Sequence, residues 1–282
     1  MKFFSGNFFS GKLFSCLKWP GVFLLGLSLT GGGLAGCASH SGGGSAGTPQ
    51  QATTSREARA QIRTELAALY YERGQYGVAL EELDVVLQAA PDYAPAYNVR
   101  GLVRMALREF KQAELDFRRS LELDSGDSDA HNNYGWFLCQ QGRERESIKH
   151  FLAALKNPLY STPSKAYLNA GVCSKKGGNM QEAEEFLHKA LVVQPNMPEA
   201  LFGLADLAFA NGDYAGAKSY FLKFSGFLKS SGLTDNVSAE HLWLAVRIER
   251  KLGNRSAEND YAMQLRNRYP DARETQLMLY RQ

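Results

Sequence analysis

A repeat of about 34 residues runs through most of this chain and limits the folds open to it. In all but the last unit, small residues recur at the eighth and twentieth positions and bulky apolar residues at the twenty-fourth. A unit of this length cannot bury its apolar face alone, so neighbouring units must stack on one another. The repeat therefore predicts an all-α array of about six helix pairs. The units begin near Ala60, Ala94, Ser128, Ser164, Pro198 and Ala239.

The small eighth position indicates how the two helices of a unit pack. Gly101 and Gly135 carry no side chain that would hold two antiparallel helices apart, so the helix axes can approach to about 8–10 Å. Phe117 and Phe151, at the twenty-fourth position, would fill the remaining space. This pattern resembles the tetratricopeptide repeat (TPR), and the resemblance implies a right-handed superhelix of TPR helix pairs with a concave groove over residues 55–282. The units are expected near 60–93, 94–127, 128–161, 164–197, 198–231 and 239–272, followed by a short tail.

Residues 1–36 have the composition of a bacterial signal peptide. Three lysines and no acidic residue accompany an apolar run at 22–29, which is shorter than the ~20 residues of a transmembrane helix. Residues 34–37, Leu-Ala-Gly-Cys, resemble a lipobox. The resemblance implies cleavage before Cys37, a diacylglyceryl group on its thiol and an acyl chain such as palmitate on the new amino group. The alternative is an ordinary secretory signal with an incidental cysteine.

The residues after Cys37 indicate where the chain is anchored and how. Two or more lipid chains make membrane attachment stable. Ala38 stands where lipoproteins retained in the inner membrane would carry Asp, which favours the outer membrane, with the repeats facing the periplasm. Residues 37–54 are rich in Gly, Ser and Thr and predict a flexible tether. The three signal lysines account for the formal net charge of +3, so the remaining chain has no basic excess for nucleic acid.

Two cysteines lie inside the repeats, Cys139 in the third unit and Cys173 in the fourth. An extracytoplasmic compartment is oxidising, so an isolated pair favours a disulfide. Their positions face one another when successive first helices pack side by side. The alternative is two buried thiols, since free cysteine is a common core residue.

The sequence predicts a binding protein rather than an enzyme. The five histidines are scattered, and no Cys-x-x-Cys, His-Glu-x-x-His, Gly-x-Ser-x-Gly or phosphate-binding glycine loop is present. We therefore expect no metal and no cofactor apart from the lipid on Cys37. An enzyme built on a repeat scaffold remains the competing class.

Recurrent positions on the first helix of each unit are expected to line the concave groove. Apolar and aromatic side chains on such a face suit a peptide or an amphipathic helix, although several of them could pack only between helices. Asn98 and Asn132 resemble asparagines with which some TPR proteins bind peptide carboxylates, but Thr64 and Ala68 stand where the other residues of that clamp would be. The predicted groove residues are Tyr71, Asn98, Leu102, Met105, Asn132, Trp136, Leu168, Val172, Lys175, Phe202, Phe209 and Trp243.

Several local stretches resemble one family of TPR lipoproteins. They are Asn-Asn-Tyr-Gly-Trp-Phe-Leu-Cys at 132–139, Asn-Pro-Leu-Tyr-Ser-Thr-Pro at 157–163, Asn-Ala-Gly-Val-Cys at 169–173, and residues 241–248 with 268–271. With the lipobox and tether they resemble the type IV pilus biogenesis lipoproteins PilW/PilF, the secretin pilotins. The resemblance implies binding of a secretin subunit or another pilus assembly protein, and promotion of secretin assembly or localisation. The repeat positions place the partner in the groove, and the two-proline tract at 157–163 is the alternative contact. The alternative is an envelope adaptor for another outer-membrane or peptidoglycan machinery.

The lipobox generates the first testable prediction. The mature chain should begin at Cys37 and carry lipid, so the mass of protein extracted from membranes should exceed that of the 37–282 polypeptide by a lipid increment. Cys37→Ser should leave unprocessed precursor or protein that does not fractionate with the outer membrane. A soluble mature species that begins at another residue would contradict the prediction.

Overall fold

The computed structural model describes residues 49–280, with side chains from residue 55 onward. The predicted signal peptide, Cys37 and most of the tether lie outside the described residues. Between residues 49 and 280 the chain is helical and contains no strand. The helices are α1 (Pro49–Glu72), α2 (Tyr76–Ala89), α3 (Ala94–Ala106), α4 (Phe110–Leu123), α5 (Ser128–Gln140), α6 (Glu144–Ala154), α7 (Pro163–Lys176), α8 (Met180–Val193), α9 (Pro198–Ala210), α10 (Tyr214–Ser230), a 3-10 turn (Thr234–Asn236), α11 (Ala239–Lys251), α12 (Arg255–Arg268) and α13 (Arg273–Leu279).

The predicted all-α class is confirmed, and the helices follow the repeat. Each odd-numbered helix up to α11 is the first of a pair and is called helix A here; the helix that follows it is helix B. Helices α3, α5, α9 and α11 begin at Ala94, Ser128, Pro198 and Ala239, where the sequence analysis places the starts of units. None of the helices between residues 49 and 280 combines the length and apolar composition that crossing a bilayer requires.

The chain divides into two compact units, one ending at Val99 and the other beginning at Arg100. In the first, helices α1 and α2 pack through Ala67, Ala79 and Leu83, all fully buried. These residues occupy the eighth, twentieth and twenty-fourth positions of the repeat. In the second, each pair from α5/α6 to α11/α12 packs internally and also against the next pair along the chain. The stacking predicted from the repeat is therefore present from α5 to α12.

Close approach within a pair depends on the eighth position. A Cβ atom added at Gly135 would lie 2.8 Å from the Phe151 ring and 3.1 Å from the Ser147 carbonyl oxygen. At Gly101 it would lie 2.8 Å from the ring of Phe117. Both rings are fully buried, so they have no free space to move into. The predicted contact between the eighth and twenty-fourth positions is thus direct.

Each turn between helix A and helix B of a pair contains one residue in the left-handed backbone conformation. In the α5–α6 turn, Gly142 has φ of 77°, and the Arg143 amide donates to the Leu138 carbonyl at 2.9 Å. Such a turn satisfies carbonyl groups at the end of helix A. In the second repeat unit, Arg108 occupies the corresponding position with φ of 63°. This conformation is energetically less favourable for a residue with a Cβ atom than for glycine.

Cys139 and Cys173 are joined by a disulfide between α5 and α7, with Cα atoms 5.8 Å apart. That separation lies within the usual range for disulfides. Both cysteines are fully buried in a cluster that includes Phe151 and Phe186. The bond therefore joins the A helices of two successive pairs inside the core.

Both ends of the repeat array differ from the sequence prediction. Helix α1 begins at Pro49, so residues 49–54, assigned to the tether, are helical. Proline is pre-organised for the first turn of a helix, and the Gln and Ala residues that follow favour helix. The segment expected to be a tail forms α13, which packs against α11 and buries Met278. The buried residues of this seven-residue helix are Thr275 and Met278, which are too few to give a periodic signal that predicts it.

The packing at Gly135 gives a stability prediction with a matched control. Gly135→Ala should lower the free energy of unfolding by about 1–3 kcal/mol, because the new methyl group overlaps a ring that cannot move. Gly226→Ala, inside α10 with nothing within 4 Å of the new Cβ, should raise it by about 0.5–1 kcal/mol, because alanine loses less backbone entropy. Urea unfolding measures both. Equal effects of the two substitutions would contradict the packing account.

The disulfide gives a second stability prediction. The double variant Cys139→Ser/Cys173→Ser should lose about 2–4 kcal/mol of unfolding free energy, because the bond restricts the unfolded chain. Reductant should lower the stability of the original protein and leave the variant unchanged. Detection of two free thiols in protein made in the periplasm would show that the bond does not form there.

Candidate functional site

The helix A surface of the second compact unit carries half-buried apolar side chains. Helices α5, α7, α9 and α11 lie side by side, each in contact with the next. Most of the predicted groove residues on them contact the core with one edge and leave the other edge accessible. We call these side chains, together with the exposed Val172, the helix A strip: Trp136, Leu168, Val172, Phe202, Phe209 and Trp243.

Trp136 is the tryptophan at the α5 end of the strip. The preceding residue on α5, Gly135, packs against α6. The indole of Trp136 lies to one side of that contact. The indole packs against the cluster that contains the Cys139–Cys173 bond and remains partly exposed. The disulfide and its neighbours therefore hold Trp136 on a rigid base.

The other apolar groove residues are also placed at the edge of the core. Leu102 and Met105, on α3, are half-buried against the cluster of Phe117 and Tyr134. Tyr71 belongs to the first compact unit, where its ring centroid lies 5.9 Å from that of Tyr76. Burial raises the pKa of the Tyr71 hydroxyl, and the neighbouring Tyr76 raises it further.

The two asparagines do not face an open groove, which corrects the sequence prediction. Asn132 is 3% exposed, and its Oδ1 accepts a hydrogen bond from Nδ2 of Asn169 on α7 at 3.0 Å. Asn98 is 7% exposed. A buried amide needs hydrogen-bond partners, and for Asn132 the next helix A supplies one. The carboxylate-binding interpretation of Asn132 is therefore wrong, because its side chain joins two helices instead.

Lys175 is also engaged within the protein. Its ammonium group forms an ion pair with the carboxylate of Asp206 on α9. Both side chains remain partly exposed on the helix A surface. Sequence reasoning missed Asp206, although it occupies the ninth repeat position, the same position as Trp136.

A cleft lies at the α13 end of the helix A strip, between α9, α11 and α13. Its volume is about 240 Å³. The ring of Phe202 contacts His241 edge-on at 4.4 Å, and burial lowers the pKa of His241 to about 4. The guanidinium of Arg247 lies 4.1 Å from the ring centroid of Phe209. The cleft is lined by Phe202, Asp206, Glu240, Trp243, Leu244, Arg247, Arg273, Glu274 and Leu277.

The carboxylates of the cleft repel one another. Partial desolvation raises the pKa of Glu240, and the negative charges of Asp206 and Glu274 raise it further, while Lys175 lowers it. Only Phe202 and Trp243 of the lining residues were predicted from the sequence. Arg273, Glu274 and Leu277 were missed because they lie on α13, and nothing in the repeat pattern indicated that helix.

The tract at 157–163 was the other predicted contact candidate. Tyr160 is buried against Ala154 and Ala166, and the Leu159 amide donates to Oδ1 of Asn157 at 2.9 Å. Leu159 itself is 88% exposed. The tract therefore packs against the repeats through Tyr160 and exposes the Leu159 side chain to solvent.

The helix pairs and their spacing define a TPR protein. Sequence profiles described as tetratricopeptide repeat match residues 98–166 and 176–222. Type IV pilus assembly protein PilF of Pseudomonas aeruginosa is 29% identical over 255 residues, which cover 90% of this chain and 95% of that protein.

Solved structures give the same relationship. The crystal structure of PilW, titled a widely conserved type IV pilus biogenesis factor, is 33% identical with a TM-score of 0.71, and covers 78% of this chain and 98% of that one. The structure of P. aeruginosa PilF is 27% identical with a TM-score of 0.73, and covers 81% of this chain and 100% of that one. The chain therefore belongs to the PilW/PilF family of TPR proteins of type IV pilus biogenesis, which confirms the resemblance seen in the sequence.

Proposed function

We propose that this protein is an outer-membrane-anchored pilotin that binds a segment of a secretin subunit, or of another type IV pilus assembly protein, along its helix A strip. By holding that segment it would promote assembly or localisation of the secretin. The observation that carries the proposal is the strip itself. Half-exposed Trp136, Phe202, Phe209 and Trp243 lie on α5, α9 and α11 of one row of helices, in which α7 stands between α5 and α9, so a single extended or helical segment along the row can contact several of them.

The energetics of interfaces favour Trp136 as an anchor of this contact. Tryptophan, tyrosine and arginine dominate measured binding hot spots. Trp136 rests on the disulfide cluster, so little conformational entropy is lost when a partner covers it. The family relationship supports a pilus assembly protein as that partner, because the names of its PilF and PilW relatives refer to pilus assembly and biogenesis.

The proposal also includes a lipid anchor on Cys37 and a non-catalytic role. A lipid on Cys37 would hold the repeats at the outer membrane, and the tether would let them reach partners in the periplasm. On the helix A surface, Lys175 and Asp206 are paired with each other, and the apolar side chains of the strip provide the contact area. We therefore propose binding without catalysis and without a metal or cofactor besides the lipid.

Substitution of Trp136 tests the proposal. Trp136→Ala should weaken capture of the secretin from solubilised membranes at least tenfold, which corresponds to about 1.4 kcal/mol. The measurement is a titration of immobilised protein, with the captured secretin identified by mass spectrometry. Secretin rings in cells that carry only the variant should decrease accordingly.

The control is Leu152→Ala, which removes an exposed aliphatic side chain from helix B of the same pair. It should leave capture unchanged, and both variants should keep the melting temperature within a few degrees of the original. If Trp136→Ala captures secretin normally and supports normal rings, the strip is not the binding site. Capture of a different envelope protein by the original chain would instead favour the adaptor alternative.

A further inference from the structure

We propose that residues 157–164 and 190–198, at one edge of the repeats, rest in the surface of the phospholipid bilayer that the lipid on Cys37 would enter. The proposal deepens the proposed function, on which it rests for the membrane anchor, because it states which surface of the repeats meets the bilayer. The feature that carries it is two neighbouring stretches without a charged side chain, on which aliphatic side chains are exposed to solvent. We call these two stretches the uncharged edge.

The two stretches belong to one surface. The chain passes from α6 into α7 through the first stretch and from α8 into α9 through the second, so both occur where a helix A begins. Helices α7 and α9 are in contact, and the Ser164 hydroxyl donates a hydrogen bond to Oε1 of Gln194 at 3.1 Å. The beginnings of successive A helices therefore bring the two stretches together at one edge of the second compact unit.

The composition of this edge differs from the rest of the chain. Neither stretch contains Asp, Glu, Lys, Arg or His, although 22% of the chain is charged, so a surface of this size would ordinarily carry several charges. Leu159 is 88% exposed and Val192 is 82% exposed. At the opposite edge, where each helix A ends, the exposed large apolar residues between α5 and α12 are Met180 and Leu252, at 39% and 40%. The aliphatic side chains that protrude furthest are thus concentrated at the uncharged edge.

The local backbone holds Leu159 in its exposed position. Tyr160, the next residue, is buried against the repeats, and the Leu159 amide donates to Oδ1 of Asn157. The ring of Pro158 fixes one backbone dihedral between them. Leu159 therefore stays in solvent because its neighbours are held by packing and a hydrogen bond. Transfer of such a side chain from water into an apolar environment is favourable.

The predicted anchor makes the bilayer the occupant that is always present. Helix α1 begins at Pro49, so the predicted tether comprises residues 38–48, and a flexible chain of that length spans about 20 Å. Attachment raises the effective concentration of the bilayer around the repeats, so a contact too weak to hold a free protein on a membrane becomes populated. A protein partner would cover Leu159 and Val192 only while it is bound.

The charges beside the uncharged edge nearly balance, so apolar contact must supply the attraction. The residues that flank the two stretches are Lys156, Lys165, Lys189 and Glu199. Two acidic residues at the start of α5, Asp127 and Asp129, offset the remaining positive charge. Binding that depends on buried apolar area, rather than on attraction to anionic lipid, should be insensitive to salt.

Quenching of tryptophan fluorescence by brominated lipids measures the contact. Leu159→Trp is introduced into the mature lipidated chain, in which Trp136→Phe and Trp243→Phe remove the other tryptophans. The protein is reconstituted in vesicles of phosphatidylethanolamine and phosphatidylcholine, with or without bromine on the acyl chains. We expect the emission to be at least twofold lower in the brominated vesicles, at low and at high salt.

The matched control is Leu252→Trp in the same background. Leu252 follows α11 at the opposite edge, and a helix A of 13 residues is about 20 Å long, so its tryptophan should stay outside the bilayer. Bromine should leave its emission unchanged.

Further variants test whether the second stretch takes part. Val192→Ser/Val193→Ser should reduce the quenching of Leu159→Trp at least twofold, because both side chains are exposed on the same edge. Leu222→Ser, which removes a half-exposed aliphatic side chain from α10, should leave it unchanged. Circular dichroism shows whether each variant is folded, and Val192→Ser alone serves if the double variant is not. Absent quenching of Leu159→Trp, equal quenching of Leu252→Trp, or quenching that high salt abolishes would each overturn the proposal.

These measurements separate the uncharged edge from the proposed function. If the chain stays with the vesicles and Leu159→Trp is not quenched, the anchor stands and the edge proposal fails. If the chain does not associate with vesicles at all, the proposed anchor fails and the edge proposal fails with it. Leu159→Ser/Val192→Ser should capture secretin normally in detergent, and loss of capture would assign the edge to the protein partner instead of the bilayer.

Discussion

The contact between the eighth residue of helix A and the twenty-fourth residue of the repeat is the constraint on which the second compact unit depends. At Gly135, the Phe151 ring lies where a Cβ atom would be, and Gly171 meets Leu187 in the same way in the next pair. Helices held this close present their remaining faces at fixed orientations. Because the same contact recurs in successive pairs, the A helices form one continuous surface instead of independent hairpins.

That surface is held in register by contacts of three chemical kinds between successive A helices. A disulfide joins α5 to α7, the amides of Asn132 and Asn169 join the same two helices, and the Lys175–Asp206 ion pair joins α7 to α9. Each lies on or just below the surface that carries the helix A strip. A partner segment would therefore meet side chains whose spacing is already set, which reduces the entropy lost on binding.

The cleft at α13 shows how the end of a repeat array acquires a property that its interior lacks. A terminal pair has no neighbour to cover its outer face, and repeat proteins commonly add a capping element there. Here α13 covers part of α11 and brings Arg273, Glu274 and Leu277 beside the ninth-position residues Asp206 and Arg247. Charge and aromatic surface are thus combined at one end of an otherwise apolar strip.

The sequence by itself determined the helix pairs and their starts at residues such as Ser128 and Pro198. For Cys139 and Cys173 it favoured a disulfide but left two buried thiols as the alternative. The helix pairs follow from local periodicity, since residues one repeat apart occupy equivalent places. All six residues of the helix A strip were among the groove residues predicted from the sequence, because the same positions recur on each helix A. Only the tertiary structure decided that Asn132 is buried against Asn169, that Lys175 is paired, and that α13 closes a cleft. Those outcomes depend on distances between side chains of different helices, and such distances are set by how the helices pack rather than by the order of residues within one repeat.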